Sequence, residues 1–246
     1  ELEIVVASPA EGAGGIWEDG NFLGWDTTGV IYVYNIDGSV VEGWPVYTGG
    51  IMFSSPVVGD VDNNGQDEIV IGMMYASDIW PDDRYGGLYV FDRNGNVLPG
   101  WPIEKGREFW STPALADFDD DGDLEIVVDE LGGKTYLLQH DGTIMSGWPQ
   151  YTAWNSYYSS IVEDINNDGS LDILTTSGGI YSCPYNCGGV YAWNSDGTLI
   201  EGFPKVTEVD AQAPAVIADI DNDGKVELIA SSNWDYDQIK RKYKHR

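Results

Sequence analysis

Four times in 246 residues this chain spells the string D-x-[DN]-x-[DN]-G-x-x-[DE] and then runs straight into an apolar, β-branched stretch: DVDNNGQDE from Asp60, DFDDDGDLE from Asp117, DINNDGSLD from Asp164 and DIDNDGKVE from Asp219. The spacing is that of a calcium loop. Oxygen side chains at positions 1, 3 and 5 curl round one hard cation, Gly at position 6 permits the sharp turn, and position 7 offers its carbonyl. A helix-loop-helix site closes with a bidentate Glu at position 12. Here position 12 is Ile71, Val128, Thr175 or Ala230, inside what reads as a strand, and the closing acid stands at position 9 as Glu68, Glu125, Asp172 or Glu227. The pattern therefore predicts strand-loop-strand sites. One Asp/Asn/Gly loop is compatible with an ordinary turn, but carboxylates crowded into a turn repel each other unless a cation neutralises them. Four such loops in one register predict four structural Ca2+ sites, without the open coordination position or adjacent base that metal catalysis needs.

The loops belong to a longer repeat. Their starts are 57, 47 and 55 residues apart, and two other signatures keep the same intervals: a Gly-aromatic-Pro at Gly43, Gly100, Gly147 and Gly202, and an Asp-Gly or Asn-Gly turn at Gly38, Gly95, Gly142 and Gly197. Each unit reads as four strands: a short strand A before the loop, B after it, C in VIYVYN, GLYVFD, KTYLLQ and GVYAWN, and D beyond the turn. Four antiparallel strands at that period predict an all-β propeller with metal loops between A and B. The blades run approximately over 1–50 (partial), 51–106, 107–154, 155–208 and 209–246 (partial), in a single domain or fragment. Both ends carry a strand B, LEIVVAS and VELIASS, so the ring is expected to be a piece of a larger one, with blade edges free for self-association.

Composition narrows the partners. A formal charge of −29 argues against nucleic acid and anionic surfaces, and no apolar run is long enough to insert into a bilayer. The opening ELEIVVAS is too short and acidic for a signal peptide, as if the chain were already processed or trimmed. Cys183 and Cys187 flank Pro184 in YSCPYNC, which predicts a local disulfide, with two free thiols as the alternative. Disulfides and weak calcium sites both belong outside the cytosol, so the chain is expected to be secreted or on a cell surface.

With these motifs in hand, the chain resembles the FG-GAP repeat of integrin α-chain propellers and, more closely, the VCBS-type repeats of bacterial and archaeal secreted proteins. The resemblance implies a ring of about seven or eight blades. It also implies calcium ligands at Asp60, Asp62, Asn64, Gln66 and Glu68; at Asp117, Asp119, Asp121, Asp123 and Glu125; at Asp164, Asn166, Asp168, Ser170 and Asp172; and at Asp219, Asp221, Asp223, Lys225 and Glu227, position 7 acting through its carbonyl. The family's Phe-Gly and Gly-Ala-Pro elements are replaced here, as in Phe53-Ser54 and Gly72-Met73-Met74.

Comparison between repeats separates scaffold from candidate site. Tyr32, Tyr89, Tyr136 and Tyr191 share one repeat position and Trp44, Trp101, Trp148 and Phe203 another, which predicts blade-to-blade packing. Length varies only in the B-to-C loops, where Trp80 and Tyr181 lie, with Trp154 in a D-to-A connector; Phe53, Trp110 and Tyr157 recur seven residues before a metal loop. Variable loops on a rigid scaffold suit recognition of a protein or a neutral glycan, so Trp80, Trp110, Trp154, Tyr157 and Tyr181 are the expected ligand contacts. Aromatics that merely cover blade ends are the plainer reading. A polysaccharide-degrading enzyme is the rival class, with acids such as Asp82, Asp83, Asp129 and Glu130 on offer, but no nucleophile-base pair or catalytic histidine is visible. A purely structural subunit of an extracellular assembly is the third possibility.

Overall fold

The computed structural model describes residues 3–9, 15–18, 21–25, 29–48, 50, 52–74, 86–103, 108–153, 156–178, 188–207, 211 and 213–231. They are all β and fall in two compact units, Glu1–Ile126 with Leu138–Thr143, and Val127–Leu137 with Ile144–Arg246. The first unit contains β1 (Glu3–Pro9), β2 (Gly15–Glu18), β3 (Asn21–Trp25), β4 (Gly29–Asn35), β5 (Val46–Thr48), β6 (Val57–Gly59), β7 (Glu68–Met73), β8 (Gly87–Phe91) and β9 (Ala114–Ala116). There follow β10 (Glu125–Glu130), β11 (Lys134–Leu138), β12 (Gln150–Tyr151), β13 (Ile161–Glu163), β14 (Asp172–Ser177), β15 (Gly189–Asn194), β16 (Lys205–Val206), β17 (Val216–Ala218) and β18 (Glu227–Ile229).

The sheets follow the predicted A-B-C-D order. They run β1-β4-β5, β6-β7-β8, β12-β11-β10-β9, β13-β14-β15-β16 and β17-β18. Register repeats too: Val5 faces Val33, Val70 faces Val90 and Leu174 faces Ala192 across antiparallel pairs. The second sheet's strand D shrinks to a bridge between Leu88 and Ile103. One element departs from expectation. The sequence pattern makes residues 8–28 the first B-to-C loop, yet they contain the antiparallel hairpin β2-β3.

Strands β7, β10 and β14 are buried at every residue. Covered on both faces, they lack the alternation of a half-exposed strand: Ile69–Ile71 and Ile126–Val128 are consecutive apolar residues, and Thr175, Thr176 and Ser177 of β14 are buried as well. In the first unit Val5, Ala7, Ile31 and Val33 of the first sheet pack with Ile69, Ile71 and Phe91 of the second. In the second unit Leu174, Val190 and Ala192 pack with Ala215, Ile217 and Leu228 in the same way.

The Gly-aromatic-Pro motif joins neighbouring sheets. The indole Nε1 of Trp44 donates to the Arg93 carbonyl at 3.0 Å, Trp101 to His140 at 3.1 Å and Trp148 to Ser195 at 2.8 Å, each acceptor lying in the next repeat's C-to-D turn. The preceding glycine has φ near +90° in all four copies, and at Gly43, Gly100 and Gly147 a Cβ would collide with a backbone carbonyl of the next repeat, that of Asn94, Asp141 or Asp196. The aromatic-Pro bond is cis in all four copies. The C-to-D turn is a four-residue turn in which Gly38 N–H donates to Asn35 O at 2.8 Å and the glycine adopts φ +86°. Asp37 clamps it by accepting from Ser39 N–H.

Candidate metal centres

Each acidic loop is held open by its own side chains. The position-1 aspartate spans the turn: Asp60 accepts the N–H groups of Asn64 and Gly65, Asp164 those of Asp168 and Gly169, and Asp219 those of Asp223 and Gly224, at 2.9–3.1 Å. Asp117 accepts from Gly122. The position-5 side chain accepts from the N–H of position 7 in all four loops, at 2.9 Å. Two positions adopt left-handed backbone. One is the expected glycine; the other is position 4, where Asn63, Asp120, Asn167 and Asn222 have φ of 51–60°. Asn and Asp tolerate that conformation better than other side chains.

The closing acid divides its two oxygens. One caps the position-2 N–H: Glu68 Oε2 accepts from Val61 at 2.9 Å, Glu125 Oε2 from Phe118 at 2.7 Å, Asp172 Oδ2 from Ile165 at 2.9 Å and Glu227 Oε2 from Ile220 at 2.9 Å. The other is left for the loop. Glu125 Oε1 and Asp172 Oδ1, together with Asp62 Oδ1 and Asp117 Oδ1, are buried without a hydrogen-bond partner. Carboxylate oxygens of Asp60, Asp62 and Glu68 lie within 4.8 Å of one another, as do those of Asp117, Asp119 and Glu125 and those of Asp219, Asp221 and Glu227. The loop at Asp164 forms no such triad, because its position 3 is Asn166, whose amide Nδ2 donates to Asp168 Oδ2 at 2.9 Å.

Electrostatics point the same way. Burial, with the charges of Asp119, Asp121 and Asp117 behind it, pushes the Glu125 carboxyl up to about 7. Burial also raises Glu68 and Asp172, again with neighbouring carboxylates adding to the shift. Converging oxygens that repel one another and lack partners fit a hard, oxygen-seeking dication such as Ca2+. Calcium would supply charge neutralisation and a pin between strands A and B.

Residues 164–230 match the FG-GAP-like repeat. That segment runs from the loop at Asp164 through the loop at Asp219, so it holds two of the four acidic loops. A sequence search of curated proteins returns no match. Among solved structures, the V. cholerae biofilm matrix protein Bap1 is 17% identical over 87% of this chain and 40% of its own, with a TM-score of 0.44. BBS1N, solved in complex with ARL6DN, is 12% identical over 72% of this chain and 59% of its own, with a TM-score of 0.36. The chain thus spans less than two thirds of either.

Away from the acidic loops, Phe53 and Trp110 stack with ring centroids 4.7 Å apart, and Phe53 is largely exposed. Tyr157 is half-buried in the second unit. Trp80, Trp154, Tyr181, Cys183 and Cys187 lie outside the described residues. Asp129 and Glu130, read from sequence as acids near the loop-rich face, are both buried. Asp129 receives hydrogen bonds from Thr135 at 2.5 Å, Ser160 at 2.8 Å and Thr175 at 3.3 Å, while Ser160 and Thr175 also bond to each other. Burial pushes Asp129 up to about 6. Glu130 accepts from Tyr136 and lies 3.7 Å from Lys134 Nζ. The sequence offers one signal for this cluster: acid at a strand-B position where the other repeats have Gly72, Thr176 and Ser231.

Proposed function

We propose that this chain is a calcium-stabilised, propeller-type recognition module that works outside the cell. In this reading each of the four loops binds one Ca2+ through the side chains of positions 1, 3, 5 and 9 and the carbonyl of position 7, the loop from Asp164 included. The observation that carries it is the set of buried, unpartnered carboxylate oxygens at Asp62, Asp117, Glu125 and Asp172. Unpartnered buried acids cost folding energy, and a cation removes that cost. Loops of this kind in extracellular modules bind calcium weakly, at about 10−4–10−3 M, which suits a compartment rich in the ion. Calorimetric titration of chelator-treated protein tests the reading directly. Four Ca2+ per chain with a rise in melting temperature is the expected result; no heat and no thermal shift with ample calcium would sink it.

Recognition is assigned to aromatic side chains other than those at the recurring blade-to-blade packing positions. The stacked, accessible Phe53–Trp110 pair supports it, since flat rings of this kind bind the apolar faces of neutral sugars or anchor a protein partner. Glycan-array binding should fall on Phe53→Ala and Trp110→Ala while melting stays within a few degrees of the parent. Equal binding by parent and variants would remove this pair from the ligand face.

A further inference from the structure

The loops from Asp60 and Asp117 belong to the same unit and touch each other at alternate residues of the first. Gly59, just ahead of Asp60, lies beside the Leu124 side chain: a Cβ there would stand 3.2 Å from Leu124 Cδ1. The Val61 carbonyl accepts the Leu124 N–H at 2.9 Å. Asn63 reaches the turn glycine of the other loop, where a Cβ on Gly122 would stand 2.6 Å from the Asn63 amide Nδ2. The loops from Asp164 and Asp219, together in the second unit, differ. A Cβ on Gly224 would meet nothing within 4 Å, and among the described residues the Ile165 carbonyl receives no backbone N–H from Val226.

The peptide groups at the middle contact give it its meaning. The Leu124 N–H shares a peptide group with the Asp123 carbonyl, which is position 7 of the second loop. The Val61 carbonyl shares one with the Asp62 N–H, and the N–H groups of both Val61 and Asp62 hydrogen-bond to Glu68, the closing acid of the first loop. Two peptide groups in series thus join an oxygen ligand of one loop to an oxygen ligand of the other. Val61 is fully buried, so the link is shielded from water, where hydrogen bonds in a chain polarise and strengthen one another.

We propose that these two loops bind calcium cooperatively, occupancy of either one raising the affinity of the other. The proposal rests on the calcium reading above and adds regulation to it. Closure of the second loop through the Asp123 carbonyl fixes that peptide group, and with it the donor to Val61. The backbone that holds Glu68 is then already ordered when the first loop closes, so less entropy is lost in closing it. Two dications repel, which opposes the coupling, but both loops are largely exposed and salt screens that repulsion while leaving the buried link intact. The pair should therefore fill over a narrower span of calcium than the loops from Asp164 and Asp219, which fill independently.

The turn glycines supply the test, because Gly65, Gly122, Gly169 and Gly224 each donate their N–H to the first aspartate of their own loop. Their amide resonances, followed in the isotope-labelled whole chain titrated with calcium at physiological salt, read the four loops separately. Gly65 and Gly122 should move together and more steeply than a single-site curve. Glu125→Gln, which weakens the second loop directly, should raise the calcium midpoint read at Gly65 about fivefold, and Glu68→Gln should do the same at Gly122 by reciprocity, with Gly169 and Gly224 unmoved. Asn63→Gly keeps every ligand and suits the φ of 51° there, yet should flatten both curves by removing the contact with Gly122. A Gly65 midpoint indifferent to Glu125→Gln overturns the proposal, and so does an equal shift at Gly169 and Gly224, the mark of a general loss of stability. Should an acid variant unfold, the steepness of the parent curves against those of Asn63→Gly decides, single-site curves in the parent overturning the proposal. Amides that move with calcium at independent midpoints end the coupling alone; amides that never move end the calcium reading with it.

Discussion

At the residue scale the closing acid decides what each loop does. One oxygen caps backbone and the other is aimed into the loop, so Glu125→Gln keeps an oxygen for Phe118 N–H but removes the charge. Calcium affinity of that loop should fall about tenfold or more, roughly 1.4 kcal/mol, in a calorimetric comparison with the parent. The raised acids also set a pH dependence whose sign depends on the metal. In chelator, Glu125 ionises near 7 when folded against about 4.5 when unfolded, and Asp129 near 6 against 3.8, so the folded state holds more protons in that window and stability drops as pH rises through it. With calcium bound, the Glu125 contribution reverses, because the cation keeps that carboxylate ionised. Melting curves with and without chelator should therefore separate progressively from about pH 4.5 to 7. Position 4 was legible in the sequence, since Asn63, Asp120, Asn167 and Asn222 are all Asn or Asp, but the metal grammar leaves that place blank and hid its backbone role. The triad missing at Asp164 turns on one amide, Asn166, which sequence reading counts as an equal oxygen donor. Of the Asp129 cluster only the acid was legible, because its hydroxyl donors come from β11, the residue before β13, and β14, and no local spacing links them. Asp129→Ala should cost about 2–3 kcal/mol in urea denaturation, as three buried hydroxyls lose their acceptor.

At the element scale the repeat made the sheets readable. Motifs in fixed register place strands even where strand D is only two or three residues long, because the turn and the Gly-aromatic-Pro bracket it. The hairpin β2-β3 escaped for the converse reason: residues 8–28 have no counterpart in the other repeats, and Asp19-Gly20, a strong hairpin signal, fell outside the register. The two kinds of left-handed glycine give a paired test. Gly147→Ala meets both positive φ and a carbonyl in the way and should cost about 2–4 kcal/mol. Gly169→Ala has the same φ but nothing within 4 Å and should cost only about 1–2 kcal/mol. Equal losses in urea would mean that the sheet-to-sheet approach at Gly147 is not tight. Trp148→Phe keeps the ring and loses the bond to Ser195, for about 1 kcal/mol.

At the scale of the whole molecule, calcium and sheet stacking act together. With free calcium at a hundred times the dissociation constant, each occupied loop adds about 2.7 kcal/mol, so chelation should lower the melting temperature by about 5–10 °C per site lost. The indole bonds to the following turn carry a different consequence. Since every such bond ties one repeat only to its successor, cooperativity is nearest-neighbour, and rupture should travel inward from the extremities as in a one-dimensional chain of coupled spins. Amide exchange should accordingly be slowest in the fully enclosed β7, β10 and β14 and fastest in β1 and β18, a protection gradient along the polypeptide.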